Sequence, residues 1–353
     1  MCRWFAYISP TEPCLLEDVL ITPKHALVKQ VAEHYLPKLI SHDPKDISKD
    51  HMITARNTLY NIDGIGIAWY TNAHASFESP TFASSEGGQI EDLRPAMYKT
   101  VQPPLNDINF RSICANTETR VCFAHIRAAS STAITNVNNH PFVFGRHTFM
   151  HNGVVSDFQS IQRQLSRKLS NATFFNVHGS TDSEYVAALY MTHLTNGGDK
   201  SSFEKEYTRQ EMINAMHAAV KDVIELQKQE LGSQARPNSL NLCVTDGIKV
   251  VAYRFRNHAT QQPPSLYYST KAGTTLNRKY PGQPDGEDTS GKTARRSVEE
   301  HGKHMIIASE PSTYVEADWE LIGKNQLVVA GPRGLEVQDI PYVKDWDAVD
   351  PTA

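Results

Sequence analysis

Residues 239–255 set two strand-like runs on either side of Asp246-Gly247. Asp-Gly between alternating runs is a strong short-range hairpin signal, so this stretch commits the chain to antiparallel sheet. Two further runs, 121–126 and 148–155, read as strands, and the Ser/Thr/Asn-rich stretch 130–139 between them predicts a loop able to carry function. Residues 64–70, 304–308 and 326–329 add short apolar strands. Apolar residues at helical spacing predict amphipathic helices over 22–36, which has a Thr-Pro start, and over 158–169, 182–194 and 210–231. Many short hairpin-linked strands flanked by amphipathic helices define an α+β class, antiparallel sheets covered by helices, for which a four-layer αββα sandwich is the fitting architecture. Residues 281–303 are rich in Gly, Pro and charge and poor in large apolar groups, so they predict a mobile insertion in a single domain spanning 2–353.

Composition narrows the function. The 353 residues are 40% hydrophobic and 21% charged, enough apolar material for a sizeable core, and a formal net charge of −4 gives no reason to expect a nucleic-acid partner. No apolar run approaches the roughly 20 residues that span a bilayer, and the Met1-Cys2-Arg3-Trp4 start leads into no signal-peptide core. A cytoplasmic protein without membrane association is the expectation. Five cysteines with no Cys-x-x-Cys pair indicate neither a disulfide framework nor a zinc cage, so no metal or cofactor is expected and at least one thiol is free for chemistry.

Cys2 is the thiol whose position invites chemistry. Removal of Met1 would give it a free α-amine, and an α-amine with a pKa of about 7.7–8.0 is partly unprotonated near neutral pH, able to take the proton from a nucleophile on its own residue. Taken alone, a cysteine at this position is more often inert packing. Other residues shift the balance. Arg127 ends a strand at a loop, where a guanidinium fork suits a carboxylate, although a structural ion pair is the plainer use. His151-Asn152-Gly153 supplies a side-chain amide and a backbone N–H, the donors an oxyanion needs, although Asn-Gly is also a hairpin signal. Thr181-Asp182-Ser183-Glu184 opens a helix with capping-box spacing, and Asp182 in its first turn suits an α-ammonium group. Asn138-Asn139-His140-Pro141-Phe142 is a polar loop able to line a pocket, with His140 its candidate contact. Together these are the parts needed to hold a γ-glutamyl group and open its amide.

With these residues assembled, the chain resembles the class II glutamine amidotransferases, whose pattern is an N-terminal Cys, a His-x-Arg strand end, a His-Asn-Gly turn and a Thr-Asp-Ser-Glu helix start. All of these occur here in order. The resemblance implies the N-terminal nucleophile hydrolase fold, with Cys2 as nucleophile, its amine as base, Asn152 and Gly153 as oxyanion hole, and Arg127 and Asp182 as substrate anchors. Where several fused relatives carry Arg-Trp-Ala-Thr-His, this chain has Arg127-Ala128-Ala129-Ser130-Ser131, so contacts beyond the arginine differ and Ser130 is a candidate substrate contact. The start of the chain and the Asn-Asn-His-Pro-Phe motif resemble the stand-alone branch, which includes fungal glutathione-degrading subunits and bacterial γ-glutamyl hydrolases of ergothioneine synthesis.

Glutamine and glutathione share the γ-glutamyl head, and the anchors do not separate them. With no fused synthase or isomerase recognised to receive ammonia, hydrolysis of glutathione to glutamate and Cys-Gly is the favoured expectation, and the resemblance implies a metallopeptidase-like partner. The alternatives are a glutaminase donating ammonia to a partner synthase and a catalytically silent scaffold, in which Met1 would stay in place.

Overall fold

The structure is a computed structural model that describes residues 2–30, 63–78, 93–129, 132–283 and 294–348. The chain divides into two units, one formed by Met1–Pro141 with Ser265–Ile322, the other by Phe142–Pro264 with Gly323–Ala353.

The first unit is built on a seven-stranded antiparallel sheet, in the order Glu320–Leu321, Tyr267–Ser269, Met305–Ala308, Arg3–Ile8, Val121–Ile126, Ile65–Thr71 and Arg94–Thr100. Arg3–Ile8 lies centrally, and every one of its residues is buried. Its alternate side chains Phe5 and Tyr7 join a core with Phe110 and Cys114 of helix Ile108–Asn116. Asp107 starts that helix by accepting from the Asn109 and Phe110 N–H groups, donors that have no partner inside the helix.

The second unit carries a six-stranded antiparallel sheet in the order Gly334–Asp339, Gln326–Gly331, Val250–Arg256, Ser239–Thr245, His147–Val154 and Phe142–Phe144. The predicted hairpin turns at Asp246, whose Oδ1 accepts from the Ile248 and Lys249 N–H groups, and Gly247 takes a φ of +89° that only glycine adopts readily. Helices Phe158–Lys168, Asp182–Leu194 and Arg209–Leu231 share a core with Phe149, Leu242, Val251 and Tyr253 of the sheet. The longest begins at a capping box formed by Thr208 and Glu211. Antiparallel sheets with helices packed on them are the α+β class that the sequence predicts.

One predicted helix is not formed over its described residues. Over the described part of 22–36 the chain makes turns rather than a helix, and the Thr22 and Pro23 carbonyls are taken by the Lys29 ammonium at 2.9 and 2.7 Å. Residues 31–36 lie outside the described residues. Of the segment 281–303, residues 284–293 lie outside them as well, while the Arg295 and Arg296 N–H groups bond to the Lys279 carbonyl. Among the described residues no helix is long and apolar enough to cross a membrane.

Burial pushes the imidazoles of His147 and His304 down to about 4. At His304 the geometry agrees, since Nε2 accepts from the Gly273 N–H at 2.9 Å, which a protonated ring cannot do. Both rings therefore stay neutral in the folded protein at pH 5, whereas an unfolded imidazole with a pKa of about 6.5 takes a proton. Stability is complete above that value and falls as the pH drops toward about 4. Urea denaturation should show each ring costing on the order of 1–2 kcal/mol between pH 7 and pH 5. Equal midpoints at the two pH values would contradict the burial of these rings.

Candidate functional site

Cys2 immediately precedes the central strand, whose register sets Arg3 opposite Ile126 and so brings residue 2 alongside Arg127 and Ala128. Its thiol accepts from the Ala128 N–H at 3.2 Å and lies 3.5 Å from the Ala128 carbonyl. The start of the strand is pinned from the other side. The Trp4 N–H donates to Ser309 Oγ, the Ser309 N–H donates to the Trp4 carbonyl, and Arg3 Nε meets Glu310 Oε1 at 2.6 Å. His25 Nε2 holds the other Glu310 oxygen at 3.0 Å. Burial opposes ionisation of Glu310, yet the Arg3 guanidinium and the His25 bond hold its carboxyl below the usual carboxylate range. Cys2 is partly exposed, whereas the other cysteines are buried, and burial pushes the thiols of Cys14, Cys114 and Cys243 up. Thiols held in the protonated form are poor nucleophiles, which leaves Cys2 as the better-placed sulfur.

Arg127 is buried at the end of strand Val121–Ile126, as the sequence predicts. Its guanidinium donates to the Ala133 carbonyl at 2.9 Å, to Thr132 Oγ1 at 2.5 Å and to Asn139 Oδ1 at 3.5 Å. These acceptors orient the guanidinium fork. Asn139 is itself fixed by donating to the Thr100 carbonyl at 2.8 Å. His140 is buried, its ring tilted 30° to that of His125 with centroids 4.0 Å apart. Ser130 lies outside the described residues.

In the second unit, Asn152 and Gly153 belong to strand His147–Val154, paired with Asn241 and Leu240. The hairpin reading of Asn-Gly therefore does not hold, because the pair lies within the sheet. Gly153 is required by geometry. Its φ is +148°, and an added Cβ would lie 1.8 Å from the Ser239 carbonyl oxygen and 3.0 Å from His151 Nε2. Helix Asp182–Leu194 is capped by Thr181, whose Oγ1 accepts from the Glu184 N–H. The Glu184 carboxylate accepts from the His178 and Gly179 N–H groups ahead of the cap. The Asp182 carboxylate accepts from the Val155 N–H at 2.8 Å and from the Ser183 N–H at 2.8 Å, tying it to the end of the strand that carries Asn152 and Gly153.

The candidate residues thus fall into two groups, Cys2 with Arg127 and His140 in the first unit, and Asn152, Gly153 and Asp182 in the second. Sequence reading passed over Ala128, Thr132 and Ser183. A backbone donor carries no side-chain signature, and a threonine in a Ser/Thr-rich loop has none of its own. Ser183 was visible only as part of the capping spacing. Among the described residues no three His, Cys, Asp or Glu side chains are grouped to hold a metal ion.

The architecture is shared with solved structures. A glutamine aminotransferase class-II domain protein from Silicibacter pomeroyi aligns with a TM-score of 0.55 at 18% identity, covering 97% of this chain and 100% of the other. The glutamine phosphoribosylpyrophosphate amidotransferase of Bacillus subtilis aligns at 0.50 with 10% identity, covering 96% of this chain and 49% of that one. At such identities the likeness defines the fold, that of the N-terminal nucleophile amidotransferases. The sequence model of the class-II glutamine amidotransferases matches residues 39–334, and the chain belongs to that family. Among characterised sequences it is 26% identical to the probable glutamine amidotransferase DUG3 of Saccharomyces cerevisiae, over 99% of this chain and 87% of that protein. It is also 26% identical, over 113 residues, to a glutamine–fructose-6-phosphate aminotransferase of Xylella fastidiosa, a stretch covering 32% of this chain and 16% of that one.

The close approach at Gly153 yields a direct test. Gly153→Ala forces the new methyl into the Ser239 carbonyl, which is backbone and cannot swing aside. The expected result is a loss of more than about 2 kcal/mol, read as a lowered melting temperature. A wild-type melting curve for this variant would show that the strand does not hold the geometry described.

Proposed function

We propose that the protein hydrolyses γ-glutamyl amide bonds with the Cys2 thiol as nucleophile, once Met1 is removed. The observation that carries this reading is the placement of Cys2. It is a partly exposed thiol at the head of a buried central strand, in contact with the Ala128 N–H and next in strand register to Arg127. In this reading the freed α-amine takes the thiol proton and the thiolate attacks the γ-carbonyl. The Asn152 amide and the Gly153 N–H stabilise the tetrahedral oxyanion. Collapse breaks the C–N bond, and the leaving amine departs with the proton from the α-ammonium group. Water then hydrolyses the γ-glutamyl thioester, releasing glutamate and the thiol. Arg127 is proposed to bind the substrate α-carboxylate and Asp182 the α-ammonium, with Ser130 and His140 as further substrate contacts.

Glutathione is the proposed substrate, releasing Cys-Gly, in a cytoplasmic complex with a metallopeptidase-like protein. Its support is the resemblance to the stand-alone fungal branch, together with a similarity to DUG3 that runs over 99% of this chain. Ammonia donation from glutamine is the second reading, supported by the family match itself.

Replacing Cys2 by alanine should reduce turnover by at least ~10³-fold while the melting temperature stays near wild type. A tag left ahead of Cys2 should have a comparable effect, because it turns the base into an amide, and cleavage back to Cys2 should restore activity. Near-normal turnover of Cys2→Ala would end the mechanism. The substrate is decided by following Cys-Gly and glutamate from glutathione alongside ammonia from glutamine, with and without candidate partners. Cys-Gly release that exceeds ammonia release is expected. Ammonia release under every condition with no Cys-Gly would replace glutathione by glutamine.

A further inference from the structure

His151 stands directly before the proposed oxyanion donors and Ser183 directly after the proposed ammonium acceptor, and the two side chains meet. His151 Nδ1 lies 2.8 Å from Ser183 Oγ, and His151 Nε2 lies 3.2 Å from the Ser239 carbonyl. Both residues are buried. A carbonyl oxygen only accepts, so Nε2 carries the hydrogen, and in a neutral ring Nδ1 is then a lone pair that accepts the Ser183 hydroxyl proton. Burial favours the neutral ring by pushing the His151 imidazole down. The Asp182 carboxylate is the other acceptor within reach of that hydroxyl, at 3.2 Å.

A hydroxyl has one hydrogen. Donated to His151, it is withheld from Asp182, whose Oδ1 then keeps the Ser183 N–H and an open lone pair, while Oδ2 keeps the Val155 N–H. Gly153 completes the arrangement, because a Cβ there would come 3.0 Å from His151 Nε2 and crowd its bond to Ser239. We infer that His151 and Ser183 are positioning residues, which lock the helix start bearing Asp182 to the strand bearing Asn152 and Gly153 and keep the Asp182 carboxylate open to a substrate α-ammonium group. The inference rests on the assignment of Asp182 proposed above, and its test separates the two.

The probes are glutamine and its des-amino analogue 4-carbamoylbutanoate, which keeps the scissile amide and the carboxylate but has no ammonium group. Wild type, Asp182→Asn, Ser183→Ala and His151→Gln are compared by kcat/KM on both. In His151→Gln the amide nitrogen reaches toward Ser239 as Nε2 does, while the acceptor facing Ser183 is lost, so this variant gives the same readout even if Ser183→Ala folds poorly. In all three variants kcat/KM for glutamine should fall about tenfold relative to kcat/KM for the analogue, the size of one hydrogen bond to a charged group, in Ser183→Ala because the lock that positions Asp182 is lost and in His151→Gln because the hydroxyl is also released to Asp182. Asp182→Asn that discriminates, with Ser183→Ala and His151→Gln lowering both substrates equally, would reduce the pair to ordinary packing and overturn the inference while leaving Asp182 in place. An Asp182→Asn variant that does not discriminate would remove the ammonium from Asp182 and overturn both.

Discussion

The central position of strand Arg3–Ile8 is the constraint from which the rest follows. A chain end is normally frayed, because little ties it down. Here the first residues after Cys2 are fixed by neighbours on both sides, Val121–Ile126 and Met305–Ala308, and by the buried pairing of Arg3 with Glu310. Removing one partner of a buried ion pair leaves an uncompensated charge, a cost of about 3–5 kcal/mol, so the pair holds its geometry stiffly. The role proposed for Cys2, a nucleophile that draws both thiol and base from its own residue, would need this stiffness.

The second group of candidate residues depends on the same economy of backbone. Asn152 and Gly153 sit in a paired strand rather than in a turn, so their positions are inherited from the sheet. Asp182 sits in the first turn of a capped helix, where the helix dipole favours a negative charge, and its bond to the Val155 N–H ties helix to strand. Rigid elements hold these groups more closely than loops would, and proximity in catalysis is lost with displacements of about 1 Å.

What was legible in the sequence was local. The hairpin at Asp246-Gly247, the helix start at Thr181 and the strand end before Arg127 all announce themselves within a few residues, through turn chemistry, capping and apolar period. Arg3–Ile8 escaped the same reading because it is buried throughout and shows no alternation, and because the partner of Arg3 lies 307 residues away. Arg94–Thr100, an edge strand carrying Pro95, and Gly334–Asp339, a largely exposed one, lack an apolar signature for a related reason: an edge has less to bury. The helix expected from residue 22 had the right period, but its first carbonyls bond to the Lys29 side chain, a competition that periodicity does not register. At the site, the motifs revealed which residues to look at, while the bonds that orient them, from Thr132 to Arg127 and from Ser183 to His151, join positions with no shared motif meaning.

The same division bears on specificity. Every group proposed to touch substrate reads the glutamyl head, through its two charges and its carbonyl, and that head is common to all γ-glutamyl amides. Selectivity among them must come from whatever surrounds the departing amine. A site built around buried polar groups discriminates strongly against a substrate that leaves those groups unpaired, and only weakly between substrates that satisfy them equally. Glutamine and glutathione would satisfy the proposed anchors equally, so in the proposed reading the anchors select a γ-glutamyl head and the leaving group is selected by whatever surrounds it.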